Sequence, residues 1–366
     1  MTAAIAFLDL ARAMSAEKDE LEAAFAAVRR RGRFILGEEV AAFEAGFAAF
    51  AGASFGVGCG SGTDAITLAL MALGVGNGHE VLTVSMTCAP TAVGIVRTGA
   101  TPVFVDVAGE SLTMDPARLQ RALTPRTKAI VPVHLYGRPA DMPSIAEFAK
   151  KHGLVLVEDC AQAHGASVEG RLAGTFGQAA AWSFYPTKNL GALGDGGMVT
   201  TSDPGVAARL RRLRVYGYST KDDAQEIGFN SRLDELQAAI LRRRLKRLPE
   251  RNARRAALAA LYDDHLAEKN VSLSKKAPGA VPCHHLYVVR VSGRDGLRER
   301  LAARGIGTEV HYSKAVHQQP AFASFPRGPL PETEKAGREV LSLPLYPELR
   351  DSEARRVAEE LLSAIG

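Results

Sequence analysis

The sequence predicts an α/β fold: a mostly parallel central sheet with helices on both faces, followed by a smaller α+β unit. Three observations carry this reading. From Gly56 to about Thr201, short apolar runs alternate with helical patterns: VLTV at 81–84, TPVFVD at 101–106, AIVPV at 129–133, LVLVED at 154–159, AAWSF at 180–184 and GMVTT at 197–201. Parallel strands with crossover helices are the economical way to bury such runs. After a long helix, roughly Leu233 to Leu248, comes a charged helical stretch, and the pattern then changes to HHLYVVRV at 284–291, a helix near 295–304 and GTEVHY at 307–312. Finally, 366 residues exceed a usual single domain of roughly 100–200 residues. Two units are expected, a large one over 1–248 with an N-terminal helical segment and a small one over 249–366.

The first helix signal places Ser15 as cap, Glu17, Asp19 and Glu20 in the first turn, Leu21, Phe25 and Val28 on an inward face, and Arg29 to Arg31 before Gly32. Acids at the start and bases at the end agree with the helix dipole. A second helix from about Glu38 carries Val40, Phe43, Phe47 and Phe50 on one face and stops at Gly52. Later helices open at Asp115-Pro116 and Asp203-Pro204, a capping acid before proline at the first helical position. The segment 313–333 is loop-rich, and a last helix from about Asp351 to Ile365 closes the chain.

Composition excludes several function classes. A net charge of +5 comes with two local basic clusters, Arg209 to Arg214 and Arg242 to Arg244. Both sit in helical patterns without interleaved aromatics and read as solvated or contact faces, not as a nucleic-acid site. No run approaches the roughly 18 apolar residues that cross a bilayer. The first residues lack a basic region followed by an apolar stretch, so a cytoplasmic protein is expected. Cys59, Cys88, Cys160 and Cys283 lie far apart without CxxC spacing, which argues against zinc or a disulfide framework and fits a reducing compartment.

Open α/β sheets bind ligands beyond the C-terminal ends of their strands, so the polar residues there carry the chemistry. Five residues after Ser183, Lys188 lies in a glycine-rich loop, where a lysine suits phosphate binding or a Schiff base with a carbonyl compound. LVLVEDCAQAHGA ends a strand in Glu158 and Asp159. A carboxylate there can cap a helix, bind a metal or pair with a cationic ring nitrogen, and the spacing of His164 fits no simple metal-ligand pair. In VGCGSGTDAITLAL, glycines 58, 60 and 62 run into a helix near Thr63, whose N–H groups attract phosphate. The G-x-G-x-G spacing is neither the dinucleotide fingerprint nor a P-loop. Phosphate cradle, strand-end Asp and loop Lys in that order describe a site for an aldehyde cofactor that bears a phosphate and a pyridine nitrogen.

The motifs GRFILGEEVAAFE, GSGTDA, VHLYG, EDCAQAHGA, SFYPTKNLGALGDGG, GFNSRLDELQAA and VHY, in this order from about Phe7 to Leu349, resemble the DegT/DnrJ/EryC1/StrS sugar aminotransferases. The resemblance implies the fold type I architecture of pyridoxal 5'-phosphate (PLP) enzymes. It also implies a homodimer with shared active sites and transfer of an amino group, with glutamate as donor, to a keto sugar carried on a nucleotide. By that resemblance Lys188 holds PLP covalently and moves the proton, and Asp159 partners the pyridine nitrogen. Gln162 lies near the ring, while Gly62, Thr63 and Ser183 form the phosphate site. Asn230 reaches the phosphate from the neighbouring subunit, Arg232 contacts substrate across the same interface, and His311 and Tyr312 line the sugar pocket. One departure stands in SMTCAPTA: Cys88 replaces the aromatic residue that stacks on the ring in relatives. The loop KNLGALGDGG is similar to relatives acting on 3-keto sugars linked to dTDP or UDP. The alternatives are a 4-keto sugar or cyclitol acceptor and, from another class, a nucleotide-binding regulator using Gly58 to Gly62 with Asp106. The latter leaves the Lys188 loop unexplained.

Overall fold

The computed structural model describes residues 4–267, 271–273, 277 and 279–365. Those parts of the two expected units that fall on 1–3, 268–270, 274–276, 278 and 366 lie outside the described residues. The chain opens with α1 (Leu10–Ala16), capped by Asp9, and α2 (Lys18–Arg31), which ends at Gly32 with φ +66°. Ser15 is not the cap of the second helix. It lies inside α1, where its hydroxyl donates to the Ala11 carbonyl at 3.0 Å, and Glu17 occupies the cap position. Phe25, expected in the core, is 54% exposed, whereas Val28 is buried. In α3 (Glu38–Phe50) the apolar stripe of Val40, Phe43 and Phe47 faces the core.

The central sheet is built from β1 (Phe55–Cys59), β2 (Glu80–Val84), β3 (Thr101–Val105), β4 (Thr127–Val131), β5 (Val155–Asp159), β8 (Ala179–Ser183) and β9 (Gly197–Thr201). Their order is β1-β9-β8-β5-β4-β2-β3. The strands β8, β5, β4, β2 and β3 pair in parallel, but β9 is antiparallel to both its neighbours. GMVTT therefore departs from the parallel reading. The loop 184–196 returns the chain from β8 to β9 without a helix, and a parallel neighbour needs a crossover long enough to carry the chain back.

The connections are α4 (Gly62–Ala72), α5 (Ala89–Val96), the short α6 (Leu119–Ala122), α7 (Met142–Lys151) and α8 (Pro204–Leu213). Asp203 caps α8 through the N–H groups of Gly205 and Val206, as its Asp-Pro signal predicts. Register brings three strand ends to one edge: Ser183 pairs with Gly197, Gly197 with Cys59, and Asp159 with Ala181.

Between β5 and β8, the hairpin of β6 (Ser167–Val168) and β7 (Arg171–Leu172) takes a third strand, β13 (Ala280–Val281). A second hairpin, β10 (Tyr218–Thr220) with β11 (Asp223–Ala224), precedes α9 (Glu235–Leu266). This helix runs unbroken through Pro249, so the long helix and the charged helical stretch that follows it are one element. Its first residue caps another helix: the Glu235 carboxylate accepts from the N–H groups of Gly37, Glu39 and Val40 at 2.8–3.1 Å. The C-terminal part holds a small antiparallel sheet of β12 (Ser272–Leu273), β14 (Tyr287–Arg290) and β15 (Val340–Leu343) with α10 (Arg294–Ala303), α11 (Pro331–Glu339) and α12 (Asp351–Ile365). GTEVHY contributes a single bridge, Glu309 to Ser342. No helix among the described residues is long and apolar enough to cross a membrane.

Candidate active site

At the shared strand edge a cavity of about 310 Å³ is lined by Gly62, Thr63, Cys88, Asp159, Gln162, Ser183 and Lys188, together with Thr91, Tyr185 and Asp195. These come from the start of α4, the start of α5, the segment after β5 and the loop after β8.

At one end, Ser61 caps α4, its hydroxyl accepting from Asp64 N–H at 3.1 Å. The Gly62 and Thr63 N–H groups belong to the first turn, which has no intrahelical acceptors, and attract an anion. Two glycines make the approach possible. A Cβ on Gly62 would stand 2.7 Å from Ser183 Cβ, and one on Gly197 would stand 2.3 Å from the Ser61 carbonyl oxygen. The sheet edge is thus packed against the helix start, leaving the Ser183 hydroxyl beside it.

At the other end lies Asp159, 4% exposed. Its carboxylate accepts from Thr91 Oγ1 at 2.8 Å and from Ala161 N–H at 3.1 Å. Thr91 Oγ1 in turn lies 2.9 Å from Thr87 Oγ1. Both donors to the carboxylate are neutral, and no ion pair to Asp159 occurs among the described residues. Burial accordingly raises its pKa, which the Thr91 and Ala161 hydrogen bonds only oppose. A cation such as a protonated pyridine nitrogen is what this buried acid lacks. Opposite it, burial lowers the pKa of Lys188, again against the attraction of Asp159. A lysine so depressed has more free amine near neutral pH, the form that attacks a carbonyl.

Gln162 is fixed between two tyrosines. Its Oε1 accepts from Tyr136 N–H at 2.6 Å and its Nε2 donates to Tyr312 Oη at 3.3 Å. Tyr312 is also in contact with Cys88, and burial raises its pKa well above the ordinary value. His311 lies outside the cavity wall, stacked on Phe7 with ring centroids 5.7 Å apart and bonded through Nδ1 to Ser342 Oγ at 2.8 Å. Asn230 and Arg232 do not line the cavity either: Asn230 is exposed and forms a bridge with Val215. Sequence reasoning overlooked Thr91 and Thr87. Their signal lies in SMTCAPTA, where two hydroxyls stand four residues apart at the start of a helix on either side of Cys88.

A second group, His134, Glu158 and Cys160, has the residue types of a metal site. The carboxylate and imidazole of this group are spent on the fold. Glu158 accepts from the N–H groups of Gly174, Phe176 and Gly177 at 2.6–2.8 Å and faces His134 Nε2 at 3.1 Å, while His134 Nδ1 accepts from Ala140 N–H at 3.1 Å.

An anion cradle, a buried acid in want of a cation and a buried lysine whose pKa is lowered by that burial, facing one cavity, define a PLP enzyme of the aminotransferase class, and the residues present fit that cofactor. Comparison with known proteins agrees. Residues 15–362 match the model of the DegT/DnrJ/EryC1/StrS aminotransferase family, and the chain belongs to this PLP-dependent family. A dTDP-3-amino-3,4,6-trideoxy-alpha-D-glucose transaminase of Streptomyces venezuelae is 48% identical over 98% of this chain and 95% of its own. A UDP-N-acetyl-3-dehydro-alpha-D-glucosamine 3-aminotransferase of Acidithiobacillus ferrooxidans is 43% identical over 97% and 96%. A protein of Geobacillus stearothermophilus named as a pleiotropic regulatory protein is 46% identical over 98% and 97%. The solved structure of Streptomyces venezuelae DesV in complex with a ketimine intermediate superposes with a TM-score of 0.96, at 48% identity and 99% and 98% coverage.

Proposed function

We propose that this chain transfers an amino group from an amino acid, glutamate by preference, to the 3-keto group of a sugar linked to dTDP or UDP. The observation that carries the reading is the convergence of Lys188 and Asp159 on one cavity that also holds the anion cradle. The 3-position follows from the relatives, whose names place the amine at carbon 3 on either nucleotide. The relative named as a regulator does not displace it, because a binding protein has no use for the paired Lys188 and Asp159.

When bound, PLP supplies an electron sink for the carbon that loses its proton. Lys188 would hold the cofactor through its amine and, once that amine is free, would serve as the base and acid that moves the proton on its side of the cavity. Asp159, oriented by Thr91 and Ala161, would hold a proton on the ring nitrogen. Gly62 and Thr63 N–H with Ser183 Oγ anchor the phosphate, and Gln162 fixes the ring edge. Tyr312, tied to Gln162, would border the sugar side with His311 behind it, and Cys88 of the cavity wall would offer its sulfur, in place of an aromatic ring, toward the cofactor.

We further infer a homodimer with shared sites. Lys188 is the one cation among the described cavity residues, against Asp159 and Asp195, yet cofactor phosphate, glutamate and sugar diphosphate are all anionic. Arg232 and Asn230 of a second copy would supply the missing donors. Exposed Phe34, Tyr216 and Ile227, the last 90% exposed, provide apolar surface for such a contact. A division into units over 1–248 and 249–366, with α9 spanning the boundary, and a cytoplasmic place of action, in keeping with four unpaired cysteines, complete the proposal.

The test offers the holoenzyme glutamate with 3-keto and 4-keto hexoses linked to dTDP and to UDP. Amine at carbon 3 is expected, and amination of the 4-keto sugar alone, or of neither, contradicts the reading.

A further inference from the structure

Asn189, the residue after Lys188, has its side-chain amide fully committed. Its Nδ2 donates to the Cys283 carbonyl at 2.9 Å and to Asn252 Oδ1 at 3.0 Å, and its Oδ1 faces His285 Nδ1 at 3.1 Å. The two acceptors facing Nδ2 fix the amide so that Oδ1 faces His285, and since an amide oxygen only accepts, His285 carries a proton on Nδ1. Asn252 in turn donates to the His164 carbonyl at 2.7 Å. One line of hydrogen bonds therefore joins the segment after β5, the helix α9, the Lys188 loop and the strand approach at 283–285.

Asn189, Cys283 and His285 are all buried, and the mechanism above uses none of them. The loop after β8 is tied further on, where Leu193 N–H donates to Gln237 Oε1 at 2.8 Å and the Gly191 carbonyl accepts from Arg244 at 2.5 Å, but the side-chain bonds next to Lys188 are those of Asn189. Lys188 N–H bonds only to the nearby Tyr185 carbonyl at 2.8 Å, a contact within the loop itself. The direction in which the Lys188 side chain leaves the backbone is set by how its neighbour is held.

We propose that His285 is a positioning residue for Lys188, donating from Nδ1 to Asn189 and so holding the loop with the lysine aimed at the cofactor. This rests on the reading of Lys188 as the lysine that bears PLP. Burial, followed by the nearby Lys188 and Arg255, pushes the imidazole pKa well below its ordinary value. The ring thus stays neutral, with its single proton placed by Asn189. An asparagine at 285 presents an N–H donor in nearly the same place, and a leucine keeps bulk without a donor.

The experiment compares His285→Leu and His285→Asn holoenzymes with the parent. Expected is a kcat about 10- to 100-fold lower for His285→Leu, with the KM for glutamate little changed, because misaiming a reacting group costs the chemical step and not binding. His285→Asn recovers most of that loss. Parental kcat in His285→Leu, or an equal loss in His285→Asn, overturns the proposal. His285→Phe, which keeps a ring and its bulk but offers no donor to Asn189 Oδ1, gives the same kcat loss and serves if His285→Leu fails to fold. Borohydride reduction with peptide mapping separates the two readings. A label on Lys188 in every protein upholds the lysine assignment, so that the kinetics alone decide the role of His285, whereas a label on another lysine overturns the Lys188 assignment itself.

Discussion

Lys188 and Asp159 oppose each other across the cavity, each with a pKa pushed by burial toward its uncharged form. The cofactor reconciles them by giving the acid a cation and the amine a carbonyl. Lys188→Ala is expected to abolish turnover in a coupled glutamate assay. Asp159→Asn should still bind PLP through the cradle but turn over about 100-fold more slowly, since one preorganised charge in a buried site is worth that order; an unchanged rate would show that ring protonation is not needed. These residues were legible because each sits in a short motif at a strand end. Thr91 was not, since its role depends on α5 lying against the end of β5. Arg232 and Asn230 were named from resemblance alone, and within one chain they stand away from the cavity.

Among the elements, the start of α4 and the cap of α3 show what local pattern can and cannot reveal. The glycines before α4 suggested an anion site, but the requirement at Gly62 comes from Ser183, more than a hundred residues away in sequence. Gly62→Ala should weaken PLP binding by at least about tenfold in a titration, because a Cβ 2.7 Å from Ser183 Cβ must push the helix start from the sheet edge. Retained affinity would place the phosphate elsewhere. The cap of α3 was invisible in sequence, its acceptor being Glu235 on another helix. Glu235→Ala should cost about 1–3 kcal/mol in denaturant unfolding, as three N–H groups, those of Glu39 and Val40 buried and that of Gly37 half-buried, lose a charged acceptor. The same logic explains the two departures in the sheet and in α9. Strand direction in β9 is decided by a helix-free connection, and Pro249 is tolerated by a helix with neighbours on both sides, neither of which periodicity reports.

For the whole molecule, acid sensitivity follows from buried imidazoles. His164, among Phe47, Trp182 and Phe184, is pushed down to about 3, and His311 to about 4, both by burial and then by Lys188. Below about pH 6.5 the unfolded chain takes up protons that the folded chain refuses, so stability falls as pH drops toward 4. The melting temperature should decline over that range, and His164→Phe should flatten the decline; an identical slope in the variant would assign the effect to other groups. Shared sites make a separate prediction. Lys188→Ala and Arg232→Ala, each inactive alone, should regain about a quarter of parental activity when co-assembled, because half of randomly mixed two-fold dimers restore one intact site. No recovery would confine each site to one chain.

The central claim is that Lys188 carries PLP in an enzyme that takes an amino group from an amino acid, and the visible absorbance of the purified holoenzyme tests it directly. A band of lysine-bound cofactor that glutamate converts to the amine form, and that Lys188→Ala lacks, is the result expected. PLP-reconstituted protein without such a band, or a band indifferent to both glutamate and Lys188→Ala, would contradict the assignment of lysine, aspartate and function together.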